Sequence, residues 1–202
     1  MESWEGPIDT GDVPSDGADF DVIVVGGGPC GAAAAAYNAM NGCKVLLLEK
    51  EVWPRDKTCG DAVGGKSLTH VEELGVKAMI ESTPYFRVDS IVFSSANGST
   101  VRVMLPKEEF EKKMAGYALP RVQFDYMMFK RSTELVLGAG GAVIQGFGVT
   151  EVGVEDGRVT GVTGRFGGRN STEPEISFRA PLTIGAGGYN CPVAKTVTEV
   201  IH

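Results

Sequence analysis

An α/β fold is what this chain of 202 residues predicts: a parallel sheet flanked by helices, a three-stranded β-meander and an inserted β-hairpin region. Three observations predict it. The run from Asp21 to Glu49 reads strand, glycine turn, helix, strand, acid. Two runs that alternate apolar and polar residues flank Asn97-Gly98, the strongest short hairpin signal. Three further strand-like runs follow a long amphipathic segment, with Asp156-Gly157 between the first two.

The first run carries the most chemistry. Val22 to Val25 is apolar and β-branched, as a buried parallel strand requires. Gly26-x-Gly28-x-x-Gly31 follows at once. Gly26 permits the tight turn, Gly28 leaves room for a diphosphate against the backbone, and Gly31 lets the helix lie close to the sheet. Pro29 suits the first helical position, and the N–H groups from Cys30 onward, with the positive end of the helix dipole, face an anion. Ala32 to Ala36 is strongly helix-forming. Asn41-Gly42 closes the helix. Lys44 to Leu48 is the second strand, and Glu49 stands at its end, 18 residues after Gly31 and near the expected place of an acid that binds ribose hydroxyls. This is a Rossmann-like unit for the ADP half of a dinucleotide. Glu49 disfavours a 2′-phosphate here, so NAD and FAD both remain open at this point.

Farther along, Pro54 and its charged neighbours mark a loop. Ser67 to Leu74 reads as a helix, with a short helical turn over Lys77 to Ser82. Val88 to Ser94 and Thr100 to Leu105 form the hairpin. Phe124 to Leu137 is a helix, Ala142 to Ile144 a strand, and the meander comprises Phe147 to Val154, Arg158 to Gly164 and Glu175 to Arg179. Leu182 to Ile184 leads into GAGGYNCP, and Cys191 to Ile201 begins a helix. The expected organisation is a disordered leader over 1–19, acidic and rich in Gly and Pro, then one domain over 20–202, with 84–120 belonging to the inserted β-region.

The formal charge of −7 and the lack of a basic cluster argue against nucleic acid. No apolar run is long enough to span a membrane. Four cysteines (Cys30, Cys43, Cys59, Cys191) fit no zinc spacing, no metal is expected, and a reducing, cytoplasmic setting follows. Cys43 is expected as a small core residue. His70 reads as a helix-surface residue, Trp53 as packing for its loop, Met114, Met127 and Met128 as core filler, and Arg55 and Lys57 as loop cations that could balance phosphate or flavin charge.

Three stretches together resemble the geranylgeranyl reductase family of FAD-dependent oxidoreductases, within the para-hydroxybenzoate hydroxylase-like FAD fold. GGGPCGAAAAAYNAMNG matches the longer FAD form of the glycine motif, with Ala35 and Gly42 filling its later positions. WPRDKTCGD is similar to the family loop ending in Cys59, Gly60 and Asp61. IGAGGYNCPVAK resembles the second FAD motif, with Gly187 where the family usually has aspartate. The resemblance implies FAD as cofactor. It places Glu49 on the adenosine ribose with Lys50 beside it, Arg121 on the phosphates, Gly148 and Val149 on the adenine, and Gly187 in the second motif. It brings Cys59, Gly60 and Asp61 near the flavin, with Cys59 and Asp61 as candidate contributors to chemistry.

The implied activity is reduction of carbon–carbon double bonds in a prenyl chain by hydride from reduced flavin, with NAD(P)H or an electron-carrier protein as donor. A small or lipid-like substrate leaves peripheral membrane contact open. Alternatives are a flavin monooxygenase or halogenase on the same fold, and an FAD-binding module without its own turnover. The family's third FAD motif, GD followed by small residues, is not found. The resemblance therefore implies truncation after the second motif, which leaves open a gene fragment or one part of a split enzyme whose partner chain carries the missing C-terminal half.

Overall fold

The computed structural model describes residues 6–58, 60–105 and 116–200, with only the backbone of Val200. Cys59 and Met114 lie outside the described residues. The chain divides into two compact units: Glu2–Arg55 with Asp125–His202, and Asp56–Phe124.

The larger unit is built on β2 (Val22–Val25), β3 (Val45–Leu48), β9 (Ala142–Ile144) and β13 (Leu182–Gly185), all parallel in the order β13-β2-β3-β9. Every residue of β2 and β3 is buried. The reason is that both faces of this sheet are covered, which is why these strands read as unbroken apolar runs. Ile23, Val25, Leu46, Leu48 and Ile144 face one core with Phe147, Val162 and Phe178 of the meander. Val22, Val24, Val45, Leu47 and Val143 face the other, with Ala35 and Ala39 of α1 (Pro29–Met40) and Tyr126, Phe129 and Val136 of α4 (Arg121–Gly138). Each fully buried aliphatic or aromatic side chain contributes roughly 1.5–3 kcal/mol relative to exposure.

The meander strands are β10 (Phe147–Glu155), β11 (Arg158–Phe166) and β12 (Ile176–Arg179). A fourth strand that the composition did not announce, β1 (Ala18–Asp19), adds to β12 in parallel. The leader residues before it also make definite contacts. Tyr126 Oη donates to the Gly6 carbonyl at 3.1 Å, Gln145 Nε2 donates to the Ile8 carbonyl at 3.1 Å, and the Ser177 N–H donates to Asp16 at 2.7 Å. Ile8 packs against the α1/α4 core. Polar composition hid this because the segment contributes backbone groups, the Asp16 carboxylate and one aliphatic side chain, none of which has a periodicity. The last helix, α5 (Pro192–Val200), follows a 3-10 turn at Gly188–Asn190. Cys43 is half-buried at the edge of the core rather than inside it.

The smaller unit holds β4 (Ala62–Val63), α2 (Ser67–Glu73), α3 (Val76–Glu81), β5 (Phe86–Val88), the hairpin β6 (Ser90–Ser94) and β7 (Thr100–Met104), and β8 (Gly116–Ala118). The expected hairpin is present, with Ile91 opposite Val103 and Phe93 opposite Val101. Those four side chains share one face of the ribbon by the two-residue period, and all are exposed. What had read as one long strand from Val88 is two, because β5 pairs with β8 and β6 with β7. Tyr117 of β8 donates to Glu81 at 2.8 Å and meets the Tyr85 ring edge-on.

Candidate cofactor site

The glycine turn sits where β2 ends. Gly26 has a φ of +111°, a conformation open to glycine, and a Cβ there would lie 2.5 Å from the Ala186 carbonyl oxygen. The GAGG turn of the second motif is thus packed on the first, and the Ala186 N–H donates to the Val25 carbonyl at 2.8 Å. A Cβ on Gly31 would stand 1.7 Å from the Gly26 carbonyl oxygen. Its smallness serves the turn itself more than the approach of the helix to the sheet. Gly27 is the glycine that the motif spacing did not single out: its Cβ would fall 2.5 Å from the Phe129 ring.

Gly28 differs from these. Among the described residues a Cβ there has one neighbour within 4 Å, Nη2 of Arg55 at 3.4 Å. Among the described residues the space in front of Gly28 is therefore open and faced by a guanidinium. Pro29 opens α1 with Gly28 as its cap and no side chain capping the first turn. The first-turn N–H groups have no partner within a helix, the arrangement that suits an anion. Cys30 lies exposed in that turn.

Arg55 is held from two sides. Its guanidinium lies 4.4 Å from the Trp53 ring centroid, and Nη1 is 3.3 Å from Asp125 Oδ2. Asp125 is almost fully buried, at 1%, and the Arg55 side chain is 18% exposed. Trp53 is itself buried and stacks on Phe129 with centroids 5.2 Å apart. Sequence reasoning left Arg55 between a cation that balances phosphate or flavin charge and an ordinary solvated loop residue. One signal was available: Asp125 interrupts the apolar spacing of its helix between Phe124 and Tyr126, and a buried carboxylate needs a cation or several donors.

Glu49 is buried at 5%. Its Oε2 accepts from the Gly27 N–H at 2.6 Å and its Oε1 from the Glu51 N–H at 2.9 Å. Each carboxylate oxygen has a second lone pair, so acceptor capacity remains for hydroxyl groups. The Glu49 carbonyl also accepts from the Phe147 N–H at 3.0 Å, which ties the start of β10, and with it Gly148 and Val149, to the acid. Gly148 is pressed against Gly168, whose Cα would be 2.7 Å from a Cβ there, and Val149 packs on the meander core. Lys50 points outward to Glu51 at 3.6 Å, with its side chain 72% exposed.

In the smaller unit, Asp61 and Arg121 come together: the Arg121 N–H donates to Asp61 Oδ1 at 3.1 Å, and the Leu119 N–H donates to the Asp61 carbonyl at 2.9 Å. A Cβ on Gly60 would lie 2.7 Å from Arg121 Nη1, so the loop after Cys59 packs directly on that arginine. Gly187 lies against Cys191. His70 is a surface residue beside Glu73 at 3.6 Å. Among the described residues no three His, Cys, Asp or Glu side chains gather as metal ligands, and no helix is long and apolar enough to cross a membrane.

A parallel sheet, a glycine turn at a helix start, a buried acid at the end of the next strand and a three-stranded meander define a dinucleotide-binding flavoprotein fold. The chain belongs to the FAD binding domain family, which matches residues 19–201, and its cofactor is FAD. Among similar proteins, digeranylgeranylglycerophospholipid reductase 1 of Methanococcoides burtonii is 32% identical over 177 residues, covering 87% of this chain and 39% of that protein. A geranylgeranyl bacteriochlorophyll reductase-like structure from Thermoplasma acidophilum superposes with a TM-score of 0.62 at 26% identity, over 82% of this chain and 38% of that one. The myxobacterial chondrochloren halogenase, an FAD-dependent enzyme, superposes with a TM-score of 0.70 at 25% identity, over 82% and 36%. This chain thus spans less than half the length of each.

Proposed function

We propose that this chain serves an FAD-dependent reductase that saturates carbon–carbon double bonds of an isoprenoid substrate. The observation that carries the reading is the 32% identity with a digeranylgeranylglycerophospholipid reductase over 177 residues, 87% of this chain. When bound, FAD supplies hydride transfer, and NAD(P)H or an electron-carrier protein supplies the electrons. The chain's own residues bind and orient the cofactor. The α1 start and the open space before Gly28 take the diphosphate, with Arg55 facing it as the cation. Glu49 accepts from the adenosine ribose through its remaining lone pairs. Asp61, held by the Arg121 N–H, and Cys59 are the candidates for supplying a proton at the reacting end.

Anaerobic titration tests this. Purified protein loaded with FAD and reduced with dithionite should be reoxidised by a geranylgeranyl-bearing lipid and not by its saturated counterpart. Reoxidation by neither lipid would reject the reductase reading. A second reading, an oxygen-using halogenase or monooxygenase, is favoured by the 0.70 superposition on a halogenase. It expects NAD(P)H-driven oxygen uptake by the FAD-loaded protein. A third is an FAD-binding module without turnover of its own. It expects a flavin spectrum with neither activity until a partner chain is added.

A further inference from the structure

Residues 6–9 precede the segment that matches the FAD binding domain family, which begins at residue 19. They nevertheless contact the elements that hold Arg55. Gln145, just past β9, is the link. Its Oε1 accepts from the Trp53 N–H at 2.8 Å, and its Nε2 donates to the Ile8 carbonyl at 3.1 Å. The two partners fix the amide's orientation, since one is a donor and the other an acceptor. Glutamine satisfies both, whereas a carboxylate at this position could serve only the Trp53 N–H. The Ile8 side chain packs against the apolar cluster that contains the indole, Tyr126 and Phe129. Tyr126 Oη then fastens the Gly6 carbonyl at 3.1 Å.

The Trp53 indole is the platform on which the Arg55 guanidinium lies, and Arg55 Nη2 faces the space in front of Gly28. A rigid platform lowers the entropy lost when a flexible arginine is immobilised on a ligand. We propose that Gln145 and the N-terminal strap at residues 6–9 are positioning elements of the FAD site, acting through Trp53 to hold Arg55 ready for the cofactor's diphosphate. The proposal rests on Arg55 being the diphosphate cation. The strap thereby acts as an accessory to the cofactor site, and its loss weakens FAD binding without removing any ligand contact.

The test is a double-mutant cycle on FAD affinity, read by quenching of flavin fluorescence as the apoprotein is titrated, with thermal melting in parallel. Gln145→Glu and, separately, deletion of residues 2–9 should each weaken FAD binding by about fivefold to twentyfold. Arg55→Ala should weaken it at least as much. On the Arg55→Ala background, either change should add less than about twofold, even where the melting temperature falls as it does in the parent. A merely structural strap would instead lower melting temperature and affinity by the same factor in both backgrounds, which overturns the proposal. Unchanged affinity in Gln145→Glu and in the deletion, with Arg55→Ala weakened, overturns it and leaves the Arg55 assignment standing. Unchanged affinity in Arg55→Ala rejects both.

Discussion

The Gly27 N–H donates to Glu49 Oε2 across 2.6 Å, joining the turn after β2 to the end of β3. The acid expected at the ribose is thus also a structural clamp, with its other oxygen taken by the Glu51 N–H. Glu49→Gln leaves an amide that cannot accept on both sides, so one buried N–H is orphaned. We expect a loss of about 1–3 kcal/mol in urea unfolding together with weaker FAD binding. A variant that binds FAD weakly at full stability would show that the clamp carries no folding energy.

Gly27 and Gly28 should separate stability from binding. Gly27→Ala drives a methyl to 2.5 Å from the Phe129 ring and 3.0 Å from the Glu49 Cβ. It should cost about 1–3 kcal/mol, partly recovered by Phe129→Leu. Among the described residues, Gly28→Ala meets only the tip of Arg55, at 3.4 Å. It should fold with a change under about 0.5 kcal/mol and, if the diphosphate approaches there as proposed, lose FAD affinity by tenfold or more. Calorimetric melting beside flavin titration checks both.

Trp53→Ala empties a fully buried site against Phe129 and removes the surface under Arg55. The expected cost is about 3–5 kcal/mol. Trp53→Phe should recover most of it, as measured by chemical denaturation.

Burial and the bond to Glu81 raise the Tyr117 phenol well above its ordinary value of 10.0, since both disfavour the phenolate. The folded state therefore holds this proton where the unfolded chain has lost it. The contribution is fully present below pH 10 and declines as pH rises toward the folded value. Tyr117→Phe should flatten the alkaline fall in stability. The ultraviolet component absent from that variant should belong to a phenol ionising above the ordinary tyrosine range.

At the other end of the scale, Arg179 holds the Asp19 carboxyl below its ordinary 3.8 by hydrogen bonding and by its charge. The sign is the reverse: the tie between β1 and β12 is intact above that value and is lost as pH falls through the lower folded one. Amide exchange at Ala18 and Asp19 should quicken below pH 3.8, and Asp19→Asn should remove that dependence. Both groups are exposed, so global stability should move little.

Local pattern carried much of the fold. The β2–α1–β3 unit, the hairpin at Asn97-Gly98 and the meander with its Asp156-Gly157 turn are each specified by a few adjacent residues. A glycine spacing, an alternation or a turn pair has a physical meaning that needs no distant partner. Glu49 was legible for the same reason, since its distance from the turn is a distance along the chain.

By itself, then, the sequence determined the ligand class, the parallel sheet and the acid at the carboxyl end of β3. Only tertiary structure decided that Asp125 answers Arg55 from 70 residues away, that Gln145 reaches Ile8 across 137, and that Phe129 rather than a ligand claims the space above Gly27. Such pairings leave no period in the sequence. They arise from which faces the packed sheet turns toward one another, and chain closure, not local propensity, selects them.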